Sequence, residues 1–269
     1  MTGRLDVALA ARGLARSRTH ARELIDSGRV LINGRPAGKA SSTVGDHDHL
    51  ELTESDPYVS RAAYKLLGAL DDLDVVVPRT ALDAGASTGG FTQVLLERGC
   101  EQVIALDVGH DQLDPLLRGD PRVINREGTN LRDLEPALIG GRTVELVVAD
   151  VSFISLTLLL GPLVSVLTTG GRLLTMIKPQ FEVGRQLLGK GGVVRSPALR
   201  EHAVRTVIAA AAELGWQPVA AAVSRLPGPA GNVEYFVLFS GDLPTTDTGP
   251  DAGVIDRLFD TQPPQEGGR

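Results

Sequence analysis

The chain has 269 residues, 42% of them hydrophobic and 22% charged, which suits one large or two moderate globular domains and excludes a low-complexity or fibrous chain. Its single cysteine, Cys100, excludes an intrachain disulfide and a cysteine-based metal cluster, and no apolar run approaches the roughly 20 residues that a membrane-spanning helix needs. The net charge of −6 argues against nucleic acid until its distribution is read: residues 1–40 hold eight Arg and Lys against three acids, and residues 41–57 hold five acids with neither Arg nor Lys. A basic amino-terminal module on an acidic background is more informative than the sum. The first ten residues carry Arg4 and Asp6 and no apolar signal core, so a cytoplasmic location is expected.

Leu5, Ala8, Leu9 and Arg12 fit a short helix stopped by Gly13. Ser17 is a good N-cap for a second helix from Arg18 to Ser27, ended by Gly28. Within it Ala21, Leu24 and Ile25 form an apolar stripe. Arg18 and Arg22 lie one turn apart on the outward face, with Arg16 just before the cap. Residues 29–32 read as a strand, Asn33-Gly34 as a hairpin turn and Leu50–Leu52 as a closing strand, with Lys39 between. This stretch, LDVALAARGLARSRTHARELIDSGRVLINGRPA, resembles the ribosomal-protein-S4-like RNA-binding domain over about residues 2–52. The resemblance implies a small α+β domain over residues 1–55. It places Arg4, Arg16, Arg18, Arg22 and Lys39 against RNA phosphates, where binding proceeds by charge neutralisation and counterion release. Arginines on a short helix also make ordinary solvated faces, so the match of the whole module carries the reading.

Residues 56–59 read as a linker. A helix from about Ser60 to Asp71 follows, burying Leu66, Leu67 and Leu70, with Lys65 near its start. Then comes the stretch that organises the rest, Leu82-Asp83-Ala84-Gly85-Ala86-Ser87-Thr88-Gly89-Gly90-Phe91: strand, glycine turn, helix. Glycines serve where backbone turns sharply and approaches a ligand. Dinucleotide enzymes hold a pyrophosphate with G-x-G-x-x-G. Here the pattern is G-x-x-x-G-G after Asp83, which would repel a pyrophosphate and suits a cationic amine. An ordinary βα turn is the plain alternative.

Strands and helices then alternate. Gln102 to Asp107 is an apolar strand of the kind covered on both faces, and an acid closing the second strand suits a ribose hydroxyl. Residues 122–125 form a third strand, followed by Gly128-Thr129-Asn130. Val144 to Asp150 is a fourth, leading into Val151-Ser152-Phe153. Leu156 to Leu167 reads as a helix kinked at Gly161-Pro162. Gly171 to Ile177 is a fifth strand, leading into Lys178-Pro179-Gln180-Phe181-Glu182. Pro197 to Leu214 is a helix, and Gln217–Val223 and Val233–Phe239 complete the sheet. Ligands of open α/β sheets bind outside the carboxyl ends of the strands, and Asp83, Asp107, Asp150 and Lys178 all lie there.

The motifs LDAGASTGGFT, VVADVSFISL, MIKPQFE and GNVEYF resemble FtsJ-like 2′-O-ribose methyltransferases. Joined to the amino-terminal module, residues 2–240 are similar to the TlyA family of haemolysin-named ribosomal RNA 2′-O-methyltransferases. The resemblance implies an α/β fold, a Rossmann-like class I methyltransferase with a mostly parallel seven-stranded sheet over residues 60–240. It implies S-adenosylmethionine as cofactor, no metal, and a cytoplasmic monomer acting away from membranes. Its substrate would be 16S or 23S ribosomal RNA, alone or in subunits, with an effect on sensitivity to ribosome-targeting antibiotics. The family's catalytic tetrad falls on Lys65, Asp150, Lys178 and Glu234. A ribose 2′-hydroxyl is a poor nucleophile, and a partly neutral lysine can take its proton. Lys178 is the first choice for that role and Lys65 the second, with Asp150 and Glu234 orienting the amines. By the same resemblance, Gly85, Ser87 and Gly89 shape the methionine end of the cofactor site, with Asp83 near the amine. Asp107 accepts from the ribose, Thr129 and Asn130 lie near the adenine, and Phe153, just after Asp150, packs by the methyl donor. The competing readings are an RNA- or ribosome-binding protein without catalysis and a cytolysin. Residues 241–269, rich in proline, glycine and acids, are expected to be disordered apart from a short helix at Val254–Phe259.

Overall fold

The chain folds as two units, residues 1–57 and residues 58–269. The structure is a computed structural model that describes residues 3–15, 17–26, 28–53, 57–242 and 252–260. The first unit contains β1 (Gly3–Arg4), α1 (Leu5–Ala11), α2 (Arg18–Asp26), β2 (Val30–Ile32), β3 (Arg35–Pro36), β4 (Thr43–Val44) and β5 (Leu50–Leu52). Strands β3, β2 and β5 make an antiparallel sheet, and β1 pairs with β4. The expected caps are present. Ser17 Oγ accepts from the His20 amide at 3.2 Å, and Gly13 and Gly28 follow the helices at φ +73°, a left-handed ending that glycine adopts without strain. Leu5, Leu9, Ala21, Leu24, Ile25, Val30, Val44 and Leu50 close a core of their own.

The second unit contains α3 (Ala62–Asp72), β6 (Thr80–Ala84), α4 (Gly90–Glu97), β7 (Gln102–Leu106), α5 (Pro115–Arg118), β8 (Val123–Arg126), β9 (Val144–Ala149), α6 (Leu160–Ser165), β10 (Leu167–Ile177), α7 (Pro179–Glu182), α8 (Pro197–Glu213), β11 (Gln217–Val223), β12 (Tyr235–Ser240) and α9 (Ala252–Asp260). Its seven strands run in the order β11-β12-β10-β9-β6-β7-β8. Strand β12 is antiparallel to both neighbours, and the other pairings are parallel.

The near-continuous apolar strands are explained by two covered faces. Alternate residues divide between them. Leu82, Ala84, Val147 and Ala149 pack with Leu160 and Leu163 of α6 and with Val204, Val207 and Ile208 of α8. Ala81, Leu146 and Val148 pack on the other side with Leu66 and Leu70 of α3 and with Phe91, Val94 and Leu95 of α4. Burying each large side chain contributes roughly 1.5–3 kcal/mol.

One expectation is corrected. The helix expected over residues 156–167 is instead a 3-10 turn, Leu156–Leu158, and the short α6, with β10 already begun at Leu167. Pro162 is the third residue of α6, where the amide has no intrahelical partner, so it sits near a helix start and makes no mid-helix kink. The short helix expected at Val254–Phe259 is present as α9, Ala252–Asp260. Ile255, Leu258 and Phe259 recur at helical spacing. Ile255 and Leu258 enter the main core, the Phe259 ring lies 5.2 Å from that of Tyr235, and Arg205 Nη2 reaches Asp256 Oδ1 at 2.8 Å. Residues 243–251 and 261–269 lie outside the described residues.

Candidate active site

The carboxyl ends of β6, β7, β9 and β10 bring Ala84, Leu106, Ala149 and Ile177 to one edge of the sheet. Asp107, Asp150 and Lys178 are the next residues after their strands. Glu234 precedes β12, and because β12 is antiparallel its amino end lies at this same edge.

Two buried ion pairs form there. Lys178 Nζ lies 2.5 Å from Asp150 Oδ1 and donates to Ser152 Oγ at 2.8 Å. Lys65 Nζ donates to Glu234 Oε2 at 2.6 Å. Gln180 Nε2 reaches Glu234 Oε1 at 3.4 Å. All four tetrad residues are thus paired two by two. A buried charge without a partner is strongly unfavourable, so within each pair one side chain constrains the other.

Two adjoining cavities meet at Asp150, and Lys65 and Glu234 line neither of them. One, of about 480 Å³, is lined by Gly85, Asp107, Asn130, Leu131, Asp150 and Phe153 among others. The second, of about 230 Å³, is lined by Ser60, Phe91, Asp150, Ser152 and Lys178 among others. They share Gly85, Ser87, Asp150 and Ser152, so the space runs from Asp107 to Lys178. Gly85 is required where they join. It has φ +87°, and a Cβ there would stand 2.6 Å from the Asp150 carbonyl oxygen.

Asp107 is held in place at the larger cavity. Its two oxygens accept from the Ser87 amide at 2.8 Å and the Gly109 amide at 2.7 Å. The loop beside it is gathered by Glu127, whose carboxylate accepts from the amides of Asp111, Gln112 and Leu113 at 3.0, 2.8 and 2.8 Å. Those amides hold its pKa down to about 2. Phe153, at φ +66°, projects with 92% of its surface exposed, its ring 5.3 Å from that of Phe181. Asn130 lines the larger cavity and caps the next turn through the Arg132 amide.

Three residues expected at the cofactor site lie outside both cavity linings. Asp83 lines neither cavity. Its side chain is fully buried and accepts from Thr92 Oγ1 at 2.7 Å, because the strand alternation aims it at α4. Burial raises its pKa to about 7. Gly89, at φ +96°, also lies outside the lining, and a Cβ there would meet Leu117 Cδ1 and Leu113 Cδ1. Its glycine is demanded by packing under α4. Thr129 is absent from both linings and donates its amide to the Asp107 carbonyl at 3.0 Å. Ser152, Gln180, Thr92 and Glu127 were not singled out from the sequence. The first three lie inside recognised motifs. Glu127 carries no local signal, since only the folded loop gathers three amides on it.

In the first unit, Arg4, Arg18 and Arg22 converge. Their guanidinium groups lie 2.9, 3.2 and 3.3 Å from the Asp6 carboxylate. Lys39 is exposed on a separate turn, and Arg16 lies outside the described residues. Among the described residues no group of three or more His, Cys, Asp or Glu converges as metal ligands, and no helix is long and apolar enough to cross a membrane.

Comparison with known proteins covers both units. Residues 58–240 match the family model of FtsJ-like methyltransferases, and residues 3–50 match the S4 domain. The chain is 52% identical over 237 residues to the 16S/23S rRNA (cytidine-2′-O)-methyltransferase TlyA of Mycobacterium tuberculosis, covering 87% of this chain and 88% of that protein. It is 37% identical to Hemolysin A of Brachyspira hyodysenteriae, covering 88% and 99%. A solved hemolysin-named structure from Streptococcus thermophilus is 35% identical and superposes with a TM-score of 0.74, covering 96% of this chain and 94% of that one.

Proposed function

Because the chain belongs to the FtsJ-like methyltransferases and carries an S4 domain, we propose that it methylates ribose 2′-hydroxyls of ribosomal RNA with S-adenosylmethionine. The observation that carries this reading is the pairing of the tetrad: Lys178 with Asp150 on the lining of a glycine-bordered cavity, and Lys65 with Glu234 buried outside that lining.

The residues present fit the cofactor. The backbone at Gly85 leaves no room for a Cβ, the close approach that a ligand-cradling turn needs. The cavity of about 480 Å³ falls in the range of small-molecule sites. Asp107, at the end of β7 with its oxygens already oriented by two amides, supports the reading of a ribose acceptor. Gly85 and Ser87 shape the turn, Asn130 and Leu131 line the end for the base, and Asp150 and Phe153 border the reacting end. When bound, S-adenosylmethionine supplies an electrophilic methyl group on a sulfonium.

The chain's own residues then do three things. They orient, since Asp150 and Ser152 hold Lys178 Nζ at the chamber they line together. They move a proton, since Lys178 Nζ, once the ammonium paired with Asp150 has given a proton to solvent, takes the 2′-hydroxyl proton as the oxygen attacks. They tie the sheet to the preceding helix, since Lys65 of α3 is held by Glu234 at the entry of β12. The first unit supplies the phosphate-binding cations.

The test is transfer of labelled methyl groups from S-adenosylmethionine to 16S and 23S ribosomal RNA, offered naked and in subunits, followed by ribose mapping. Label on 2′-oxygens is expected. Label on bases alone, or none with any of the four substrates, overturns the proposal.

A further inference from the structure

Asp6 lies in the first turn of α1 and is fully buried. Three arginines from two other elements close over it. Arg4, from β1, donates through Nε to Oδ1 at 2.9 Å and through Nη2 to Oδ2 at 3.3 Å. Arg18 and Arg22, from α2, donate to Oδ2 at 3.2 and 3.3 Å. The exposures are opposed. The acid's side chain is 0% exposed, while the three arginine side chains are 47%, 56% and 55% exposed. The carboxylate therefore sits beneath and three guanidinium groups sit above it, each presenting N–H groups that Asp6 does not use.

We propose that Asp6 is a positioning residue, which locks Arg4, Arg18 and Arg22 into a preformed clamp for adjacent backbone phosphates of RNA. The inference rests on the reading of this unit as RNA-binding. An acid among phosphate-binding arginines is otherwise a contradiction, since it lowers the local positive charge that attracts the ligand. The geometry resolves it. Long arginine side chains lose rotamer freedom when they bind. Asp6 imposes that order in the free protein and leaves the outward N–H edges available, in a fork that matches phosphate oxygens.

The inference makes a prediction opposite in sign to simple electrostatics. Asp6→Asn adds one unit of positive charge to the patch and keeps the side-chain shape. Asp6→Glu keeps the charge and displaces the guanidinium groups by one methylene. If only charge matters, Asn tightens RNA binding and Glu leaves it unchanged. If Asp6 positions the clamp, both weaken binding, by roughly three- to tenfold, the effect of losing the order of one or two long side chains. The experiment measures affinity of the full chain for 23S ribosomal RNA between 50 and 200 mM salt, a range in which phosphate contacts dominate the dependence. Methyl NMR signals of Leu5, Leu9 and Ile25 report the fold of this unit. Tighter or unchanged binding in Asp6→Asn overturns the inference, as does unchanged binding in a folded Asp6→Glu. Collapse of the dispersed methyl signals in both variants also overturns it, since Asp6 is then a folding residue. A triple Arg4→Gln, Arg18→Gln, Arg22→Gln variant separates the two layers. If it binds like the wild type with the same salt slope, the RNA-binding reading of the unit itself falls.

Discussion

Lys65 donates to Glu234 at 2.6 Å across 169 positions of sequence. The bond joins α3, which precedes the sheet, to the entry of β12, the last strand in sequence order. Glu234 is 1% exposed, and Gly228 leaves room for its Oε1, where a Cβ would stand 2.5 Å away. The carboxylate has one place to be, and Lys65 is held against it.

That burial has a consequence for stability. Glu234→Leu leaves the Lys65 ammonium without its partner in a site closed to water. Breaking one side of a buried pair destabilises by roughly 3–5 kcal/mol. The double variant Lys65→Met, Glu234→Leu replaces both charges by apolar groups and should recover most of that loss, while methyl transfer stays absent. Denaturant unfolding and methylation assays on the same samples check this. A double variant as unstable as the single one would trace the loss to packing.

Asp83 makes folding depend on pH. Its carboxyl titrates at about 7 in the fold, pushed up by burial, against about 3.9 in an unfolded chain. Between those values the unfolded chain releases the proton and the fold keeps it, so stability falls as pH rises. The slope approaches about 1.4 kcal/mol per pH unit and vanishes above about pH 7. Asp83→Asn keeps an oxygen for Thr92 and removes the titration. Relative to wild type, the variant should gain stability steadily from pH 4.5 to 7 and hold the gain above. A difference that is flat across this range would place the Asp83 pKa at an ordinary value.

Glu127 supports the cofactor site from behind. Its carboxylate holds the amides of Asp111, Gln112 and Leu113, and Gln112 lines the cavity and faces Ser87 Oγ at 3.2 Å. Glu127→Ala should release this loop and weaken S-adenosylmethionine binding by roughly three- to tenfold, the range for ordering a few side chains. Turnover at saturating cofactor should change little. Calorimetric titration paired with single-turnover rates gives both readings. A fall in rate at saturation with unchanged affinity would mean that the loop serves the chemistry.

Much of this site is legible in the sequence because apolar strands end abruptly in polar residues. Asp107, Asp150 and Lys178 are visible that way. Glu234 is harder, since a pattern of alternating residues shows a strand and not its direction, and only the reversal of β12 brings its amino end to the catalytic edge. Asp83 and Gly89 show the opposite limit. Both stand in the right motif, yet the strand's alternation turns Asp83 toward Thr92, and the crowding at Gly89 comes from Leu113 and Leu117, beyond the turn itself. The short helix in the tail is legible, but its docking is not: Ile255, Leu258 and Phe259 carry the spacing, and only the fold shows that they enter the main core and meet Tyr235.

Lys178 offers the sharpest separation of chemistry from binding. Its Nζ touches Asp150 Oδ1 and Ser152 Oγ and lines the smaller chamber. Lys178→Ala should lower the single-turnover rate by about 10²–10⁴-fold, the range for a lost proton-transfer group. Affinity for S-adenosylmethionine and RNA should change much less, because the proton moves only as the methyl is transferred. Lys178→Arg keeps a cation beside Asp150, but a guanidinium does not give up its proton near neutral pH. If Lys178 is the base, the arginine variant is nearly as slow as the alanine variant, and raising the pH toward 9 does not restore it. If Lys178 only orients the hydroxyl or steadies charge, arginine recovers much of the rate. The measurement is methyl transfer to ribosomal RNA at saturating enzyme and cofactor for wild type, Ala and Arg. A Lys178→Arg rate close to wild type would remove the base role from Lys178 and leave it as an orienting cation paired with Asp150.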